Sequence, residues 1–149
     1  MQQTTTVLVV DDDRPIVDFI ADVLHDEDYA VVAAYDAVSA FEAVEAHQPD
    51  VILLDLLMPG ISGDELFRAL HNRGLTTIPI ILMTADNQAV QRLIAEGVKF
   101  ILLKPFDLDT LLSCLGRALE ARYETERQGT PPSSQTDPNK IPLDVHICA

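Results

Sequence analysis

The chain has 149 residues, 48% of them hydrophobic and 5% aromatic, with no Trp and a formal charge of −14 at pH 7. That length makes one domain with a sizeable core, and the aliphatic mixture suits an α/β protein better than a disordered chain. The acidity argues against nonspecific nucleic-acid binding, which needs Lys and Arg against phosphates. No apolar run approaches the roughly 20 residues of a membrane span, and "MQQTTT" lacks the charge and apolar stretch of a signal peptide. Cys114 and Cys148 are too few and too far apart in sequence to suggest a disulfide framework, so a reducing cytoplasm is the expected setting.

Apolar runs alternate with helix-period segments along the chain. Val7–Val10 reads as a buried strand, and Ile16, Phe19, Ile20, Val23 and Leu24 fall on one helical stripe after it. Tyr29–Tyr35 is a second strand, followed by an Ala-rich helix carrying Val38, Phe41 and Val44. "VILLD", Val51–Asp55, is the third, closed by the turn signal Pro59-Gly60 before a helix from about Asp64 to His71. "IPIILMT" is the fourth, and Val90, Leu93 and Ile94 make the next stripe, stopped at Gly97. "FILL", Phe100–Leu103, is a short fifth. Leu108, Leu111, Leu112, Leu115 and Leu119 line the last helix, which fades near Arg127. Strands that are continuously apolar and alternate with helices predict a doubly wound parallel sheet of five strands flanked by five helices.

In such sheets ligands bind at the carboxyl ends of the strands. The residues gathered there are Asp11, Asp12 and Asp13 after the first strand, Asp55 closing the third, Thr84 closing the fourth and Lys104-Pro105 closing the fifth. The second strand ends in Tyr35-Asp36, an ordinary helix start. Each has a plain alternative. Asp13 before Arg14-Pro15 is a good helix cap, Thr suits strand ends, and Lys104 can snorkel to water. A cap needs one aspartate, however, and a charge between Leu54 and Leu56 is costly without a partner.

Two carboxylates about 4 Å apart repel by roughly 4 kcal/mol at an effective dielectric near 20. A cation among them removes the conflict. Asp11, Asp12 and Asp55 bring three negative charges, and one Mg²⁺ with Lys104 brings three positive. Hard oxygen donors without His or Cys favour Mg²⁺ over Zn²⁺. Such a site suits phosphoryl transfer, where the carboxylate can itself be the nucleophile. His25, His47, His71 and His146 are scattered and suggest no metal site.

These motifs are recognisable together. From about Thr5 to Arg127 the chain resembles the receiver domain of bacterial two-component response regulators, on "VLVVDDD", "PDVILLDLLMPGISG", "IPIILMTA" and "LLKPF" in that order. The resemblance implies a flavodoxin-like sheet of strand order 2-1-3-4-5, a receiver domain over 5–127 and Mg²⁺ as cofactor. It implies Asp55 as phosphoacceptor, Asp12 as a direct Mg²⁺ ligand, Asp11 as a ligand mainly through water, and the backbone carbonyl of Leu57 in the same shell. Thr84 would bind a phosphoryl oxygen, Lys104 would pair with the phosphate, and Lys104-Pro105 would be cis. The donor would be a phosphohistidine on a sensor histidine kinase or a histidine phosphotransfer protein. The domain would be a cytoplasmic phosphoacceptor rather than an enzyme acting on other substrates. It would be a monomer or weak homodimer that meets an output protein and neither nucleic acid nor membrane.

Two features depart from the family's pattern. Ile101 stands where an aromatic switch residue usually lies, three positions before the lysine, with Phe100 beside it. Residues 128–149, "QGTPPSSQTDPNKIPLDVHICA", read as a disordered Pro-rich tail, whose apolar end suits a short docking motif or a point where the chain has been cut. Rival readings are a haloacid-dehalogenase-type phosphohydrolase, with Asp11 and Asp13 as its Asp-x-Asp motif, and the N-terminal receiver of a longer transcription factor. The first leaves Asp55 unexplained and puts Pro15 where Thr or Val is expected.

Overall fold

The computed structural model describes residues 3–74, 77–128 and 144–149, with the side chains of 123–128 excepted. The predicted strands are present as β1 (Thr6–Val10), β2 (Ala30–Ala34), β3 (Val51–Asp55), β4 (Ile80–Thr84) and β5 (Phe100–Leu103). The predicted helices are α1 (Arg14–Asp26), α2 (Ala37–His47), α3 (Gly63–Asn72), α4 (Ala89–Ala95) and α5 (Leu108–Gln128). Asp13 caps α1 by accepting the Ile16 N–H at 3.4 Å, and Asp36 caps α2 by accepting the Ser39 N–H at 2.8 Å. Gly97, at φ +98°, takes the left-handed conformation just beyond α4.

The sheet corrects the expected strand count. A sixth strand, β6 (His146–Cys148), pairs in parallel with β5, and the order is β2-β1-β3-β4-β5-β6. The expectation of a disordered tail therefore fails for 144–149, while 129–143 lie outside the described residues. The tail composition is dominated by the prolines of 129–143, and this hid an apolar alternation short enough to add one edge strand.

Successive strand residues point to opposite faces and build two cores. Leu8, Val10, Ile52, Leu54, Leu82 and Ile101 pack with α2, α3 and α4. Val7, Val9, Leu53, Ile81, Met83 and Leu102 pack with α1 and α5. Three stripe residues fall elsewhere than expected, among them Leu108 at the first position of α5, which is exposed. Phe19 and Val38 are 65% and 66% exposed. The inward face of α1 runs through Val17, Ile20 and Leu24, and that of α2 through Ala37, Ala40, Ala43 and Val44. Both exposed side chains are rotated off those faces by the 3.6-residue repeat.

The handedness of the connections is set by the same two faces. The steps from β2 to β3, β3 to β4 and β4 to β5 run one way across the sheet with α2, α3 and α4 on one face. The step from β1 to β2 runs the other way with α1 on the other face, which is the same hand. The step from β5 to β6 runs with the first three, yet α5 lies with α1. That connection also includes 129–143, which lie outside the described residues.

Close backbone packing sets the loop after β3. A Cβ built on Gly63 would lie 2.2 Å from the Asp55 carbonyl oxygen and 2.8 Å from the Leu56 Cα. The Gly63 N–H donates to the Leu56 carbonyl at 2.8 Å, closing the loop on itself. Because the clash is with backbone, Gly63→Ala is expected to destabilise the domain by about 3 kcal/mol. A denaturant midpoint within error of wild type would contradict this packing.

Candidate functional site

The parallel register brings the strand ends together. Val10 is level with Leu54, Asp55 with Met83, and Thr84 with Leu103. The residues that close these strands or come directly after them, Asp11, Asp55, Thr84 and Lys104, therefore line one edge of the sheet. Backbone hydrogen bonds continue the ladder there, from Leu56 N–H to the Met83 carbonyl at 2.9 Å and from Lys104 N–H to the Thr84 carbonyl at 2.8 Å. The Lys104-Pro105 peptide is cis, as the family resemblance implies.

Lys104 does not snorkel outward. Its Nζ donates to Asp55 Oδ1 at 2.9 Å and lies 3.6 Å from Asp11 Oδ2. Asp11 and Asp55 are buried and Asp12 is exposed, and the three present carboxylate oxygens within 4.8 Å of one another. Asp11 uses Oδ1 to accept the Asp13 N–H at 3.0 Å, while its buried Oδ2 has no hydrogen-bond partner. A buried carboxylate oxygen without a donor is costly, and a divalent cation is the partner that the donor chemistry fits. All three side chains offer hard oxygen, with no His or Cys among them, a set suited to Mg²⁺.

Electrostatics tell the same story residue by residue. Burial raises the Asp11 pKa above the ordinary carboxylate value, and the Asp55 and Asp12 charges add to it against the opposing Asp13 N–H and Lys104. Burial alone would lower the Lys104 pKa, but the hydrogen bond and charge of Asp55, helped by Asp11, outweigh it and hold the ammonium. Thr84 is buried, and its Oγ1 accepts the Asp86 N–H at 3.0 Å. The Leu57 side chain is 71% exposed. Asp13 caps α1, and the carboxylates that converge with Asp11 are those of Asp12 and Asp55. Gly63 had no assigned role from sequence; the signal for it was a glycine opening a helix eight residues after a strand-end carboxylate.

These charges set an expectation for the metal-free domain. Asp11→Asn keeps the oxygen that accepts the Asp13 N–H and removes a desolvated charge beside Asp55. It is expected to raise metal-free stability by roughly 1 kcal/mol. The folded pKa of Asp11 lies above its unfolded value, so its ionised form costs stability at neutral pH. That cost is relieved as pH falls through the raised value toward the unfolded one. Denaturant midpoints in chelator should therefore separate wild type from Asp11→Asn at neutral pH and converge in mild acid. A lower midpoint for the variant at neutral pH would contradict the account.

The comparisons with known proteins agree with this geometry. The model of the response regulator receiver domain matches residues 7–115. The chain is similar to the chemotaxis protein CheY4 of Vibrio cholerae, at 32% identity and a TM-score of 0.72, over 78% of this chain and 100% of that one. It is similar to a putative response regulator from Chloroflexus aurantiacus at 29% identity and a TM-score of 0.74, over 79% of this chain and 99% of that one. NtrX from Brucella abortus matches at 27% identity and a TM-score of 0.77, over 84% of this chain and 29% of that longer one. With two strand-end carboxylates and a lysine converging inside a matched receiver fold, this chain belongs to the response regulator receiver domain family.

Proposed function

We propose that this receiver domain takes a phosphoryl group from a phosphohistidine onto Asp55, in a Mg²⁺-dependent reaction, and signals by changed protein–protein contacts. Receiver domains are phosphorylation-dependent signalling modules that bind Mg²⁺ at an acidic pocket and work with histidine kinases or phosphotransfer proteins. The observation that carries the reading for this chain is the convergence of Lys104 on Asp55 at 2.9 Å beside the Asp11 and Asp12 carboxylates.

Each residue has a task that its placement supports. An Asp55 oxygen attacks phosphorus; an O–P bond forms as the N–P bond breaks, and the bonding pair leaves with the donor imidazole. Lys104, already held as an ammonium, pairs with the phosphoryl oxygens. The Thr84 hydroxyl donates to one of them, at the expense of the bond it accepts from Asp86 N–H. Asp11, Asp12, Asp55 and the Leu57 carbonyl would hold Mg²⁺, which supplies neutralising charge to the phosphoryl oxygens. No helix among the described residues is long and apolar enough to cross a membrane, and a cytoplasmic kinase partner fits that.

Incubation with a small-molecule phosphoryl donor and Mg²⁺ should label wild type once, at Asp55, and leave Asp55→Asn unlabelled. Excess chelator should abolish labelling. Label mapped to Asp11, Asp12 or a histidine, or undiminished labelling in chelator, would overturn the reading.

Ile101 shapes the response of the fold to phosphorylation. Its side chain is fully buried in the α2–α4 core, level with Leu82 on one side and Ile147 on the other. A β-branched side chain in such a slot is stiff at χ1. Phe100 faces the opposite core and stacks on His146, with centroids 5.1 Å apart and 7° between ring planes. Neither residue can swing as an aromatic switch does. With beryllofluoride standing in for the aspartyl phosphate, amide NMR shifts should concentrate at Thr84–Gln88 and remain small along Ile101–Leu112. Large shifts along Ile101–Leu112 together with phosphorylation-dependent dimerisation would contradict this.

A further inference from the structure

β6 is held by a few identifiable contacts. His146 N–H donates to the Lys99 carbonyl at 2.7 Å, and the His146 ring stacks on Phe100. Lys99 Nζ pairs with Asp144 at 2.7 Å, with both side chains about half exposed, so solvent screens the pair. Within 144–149 only Cys148 is buried, and it enters the same α1–α5 core as Cys114 of α5, the helix that packs against β6. These are both of the chain's cysteines, brought together across 34 positions of sequence that hid their proximity.

Each thiol acts on the electrostatics of the other. Cys114 is the leading influence on Cys148 and, with the Arg117 guanidinium, lowers its pKa against the opposing effect of burial. Cys148 in turn leads the causes that raise Cys114, with burial next. Of the two, Cys148 is the one whose surroundings favour the thiolate.

We propose that Cys114 and Cys148 form a reversible disulfide, with a low-molecular-weight disulfide as the oxidant, that fastens β6 to α5 and closes the β5 edge. The Cys148 thiolate attacks one sulfur of the small disulfide. An S–S bond forms to Cys148, and the other sulfur leaves with the bonding pair as a thiolate. The charge that raised the Cys114 pKa is then gone. Cys114 loses its proton to solvent, attacks Cys148 Sγ and expels the remaining small thiolate. Two protein thiols and one small disulfide become one protein disulfide and two small thiols, with two electrons passing to the small disulfide.

The fold provides both access and a consequence. An edge strand of three residues opens locally more readily than the sheet centre. Opening presents Cys148 to the oxidant, and reclosing returns it to Cys114. Once bonded, β6 stays against Ile101 and Leu102, three and two positions before Lys104, and the β5 edge cannot accept another strand. The pair is therefore a redox-responsive fastening of the kind reducing compartments admit, rather than a structural framework. It stands independently of Asp55 as phosphoacceptor.

The test uses the full chain, reduced and then incubated with oxidised glutathione before free thiols are blocked with N-ethylmaleimide. The expected product is a monomer lighter by two hydrogens with both alkylation sites lost, a linked Cys114–Cys148 peptide, and reversal by dithiothreitol. Hydrogen exchange at Phe100–Leu103 should slow about tenfold relative to the reduced chain. Cys148→Ser and Cys114→Ala should each leave one modifiable thiol and no internal bond. Two separately glutathionylated thiols, a disulfide between chains, or two thiols that stay unoxidised while a urea-unfolded control reacts would overturn the proposal. An internal disulfide with unchanged exchange at β5 would overturn the fastening.

Discussion

The ion pair between Lys104 and Asp55 at 2.9 Å is the contact around which the rest of the site is arranged. It joins the ends of β3 and β5, two strands separated by β4, and it can form only because a parallel sheet brings every carboxyl end to one edge. Asp11 Oδ2 lies at 3.6 Å from the same ammonium and has no hydrogen bond of its own. One lysine thus faces three carboxylates, and the site is under-neutralised by two charges unless a divalent cation joins it. The aliphatic strands supply the stability that lets this conflict persist. Leu53, Leu54, Ile81, Leu82 and Met83 are almost wholly buried, each contributing about 1.5–3 kcal/mol.

That frame explains why small features around the site matter. Gly63 lets α3 begin against the Asp55 carbonyl, where any side chain would collide with backbone. The Asp64–Arg92 bridge at 2.7 Å ties α3 to α4 next to that loop. Ile101 gives β5 a stiff, filled slot where a mobile aromatic would offer a switch. On the far side of β5, β6 covers an edge that a five-stranded sheet leaves open. The proposed phosphoryl chemistry at the strand ends and the proposed thiol chemistry at the sheet edge therefore meet on the same short strand.

Much of this was legible in the sequence because it depends on local periodicity. The five apolar runs, the Asp13 and Asp36 caps and the stop at Gly97 are read from neighbours within one or two turns. Asp11, Asp12, Asp55, Thr84 and Lys104 were legible because strand ends in a parallel sheet share an edge, so a chain position becomes a place in space. Phe19, Val38 and Leu108 were misplaced because an apolar residue beside a stripe or at its end is hard to tell from one within it. β6 and the Cys114–Cys148 contact were hidden for a different reason. Three residues beyond a Pro-rich stretch carry little local signal, and their partner strand is set by which sheet edge remains free. Gly63 depends on a backbone approach that no pattern of hydrophobicity encodes.

The claim that the carboxylate cluster is incomplete without a divalent cation is tested most directly by linkage. Urea unfolding of the wild-type chain should shift to higher midpoint as Mg²⁺ is added, following RT ln(1 + [L]/Kd) for a ligand of the folded state. The shift should shrink sharply in Asp12→Ala, although that variant is no less stable than wild type in chelator. A wild-type midpoint unmoved by Mg²⁺ at tens of millimolar, or one that rises equally in both proteins, would contradict the account.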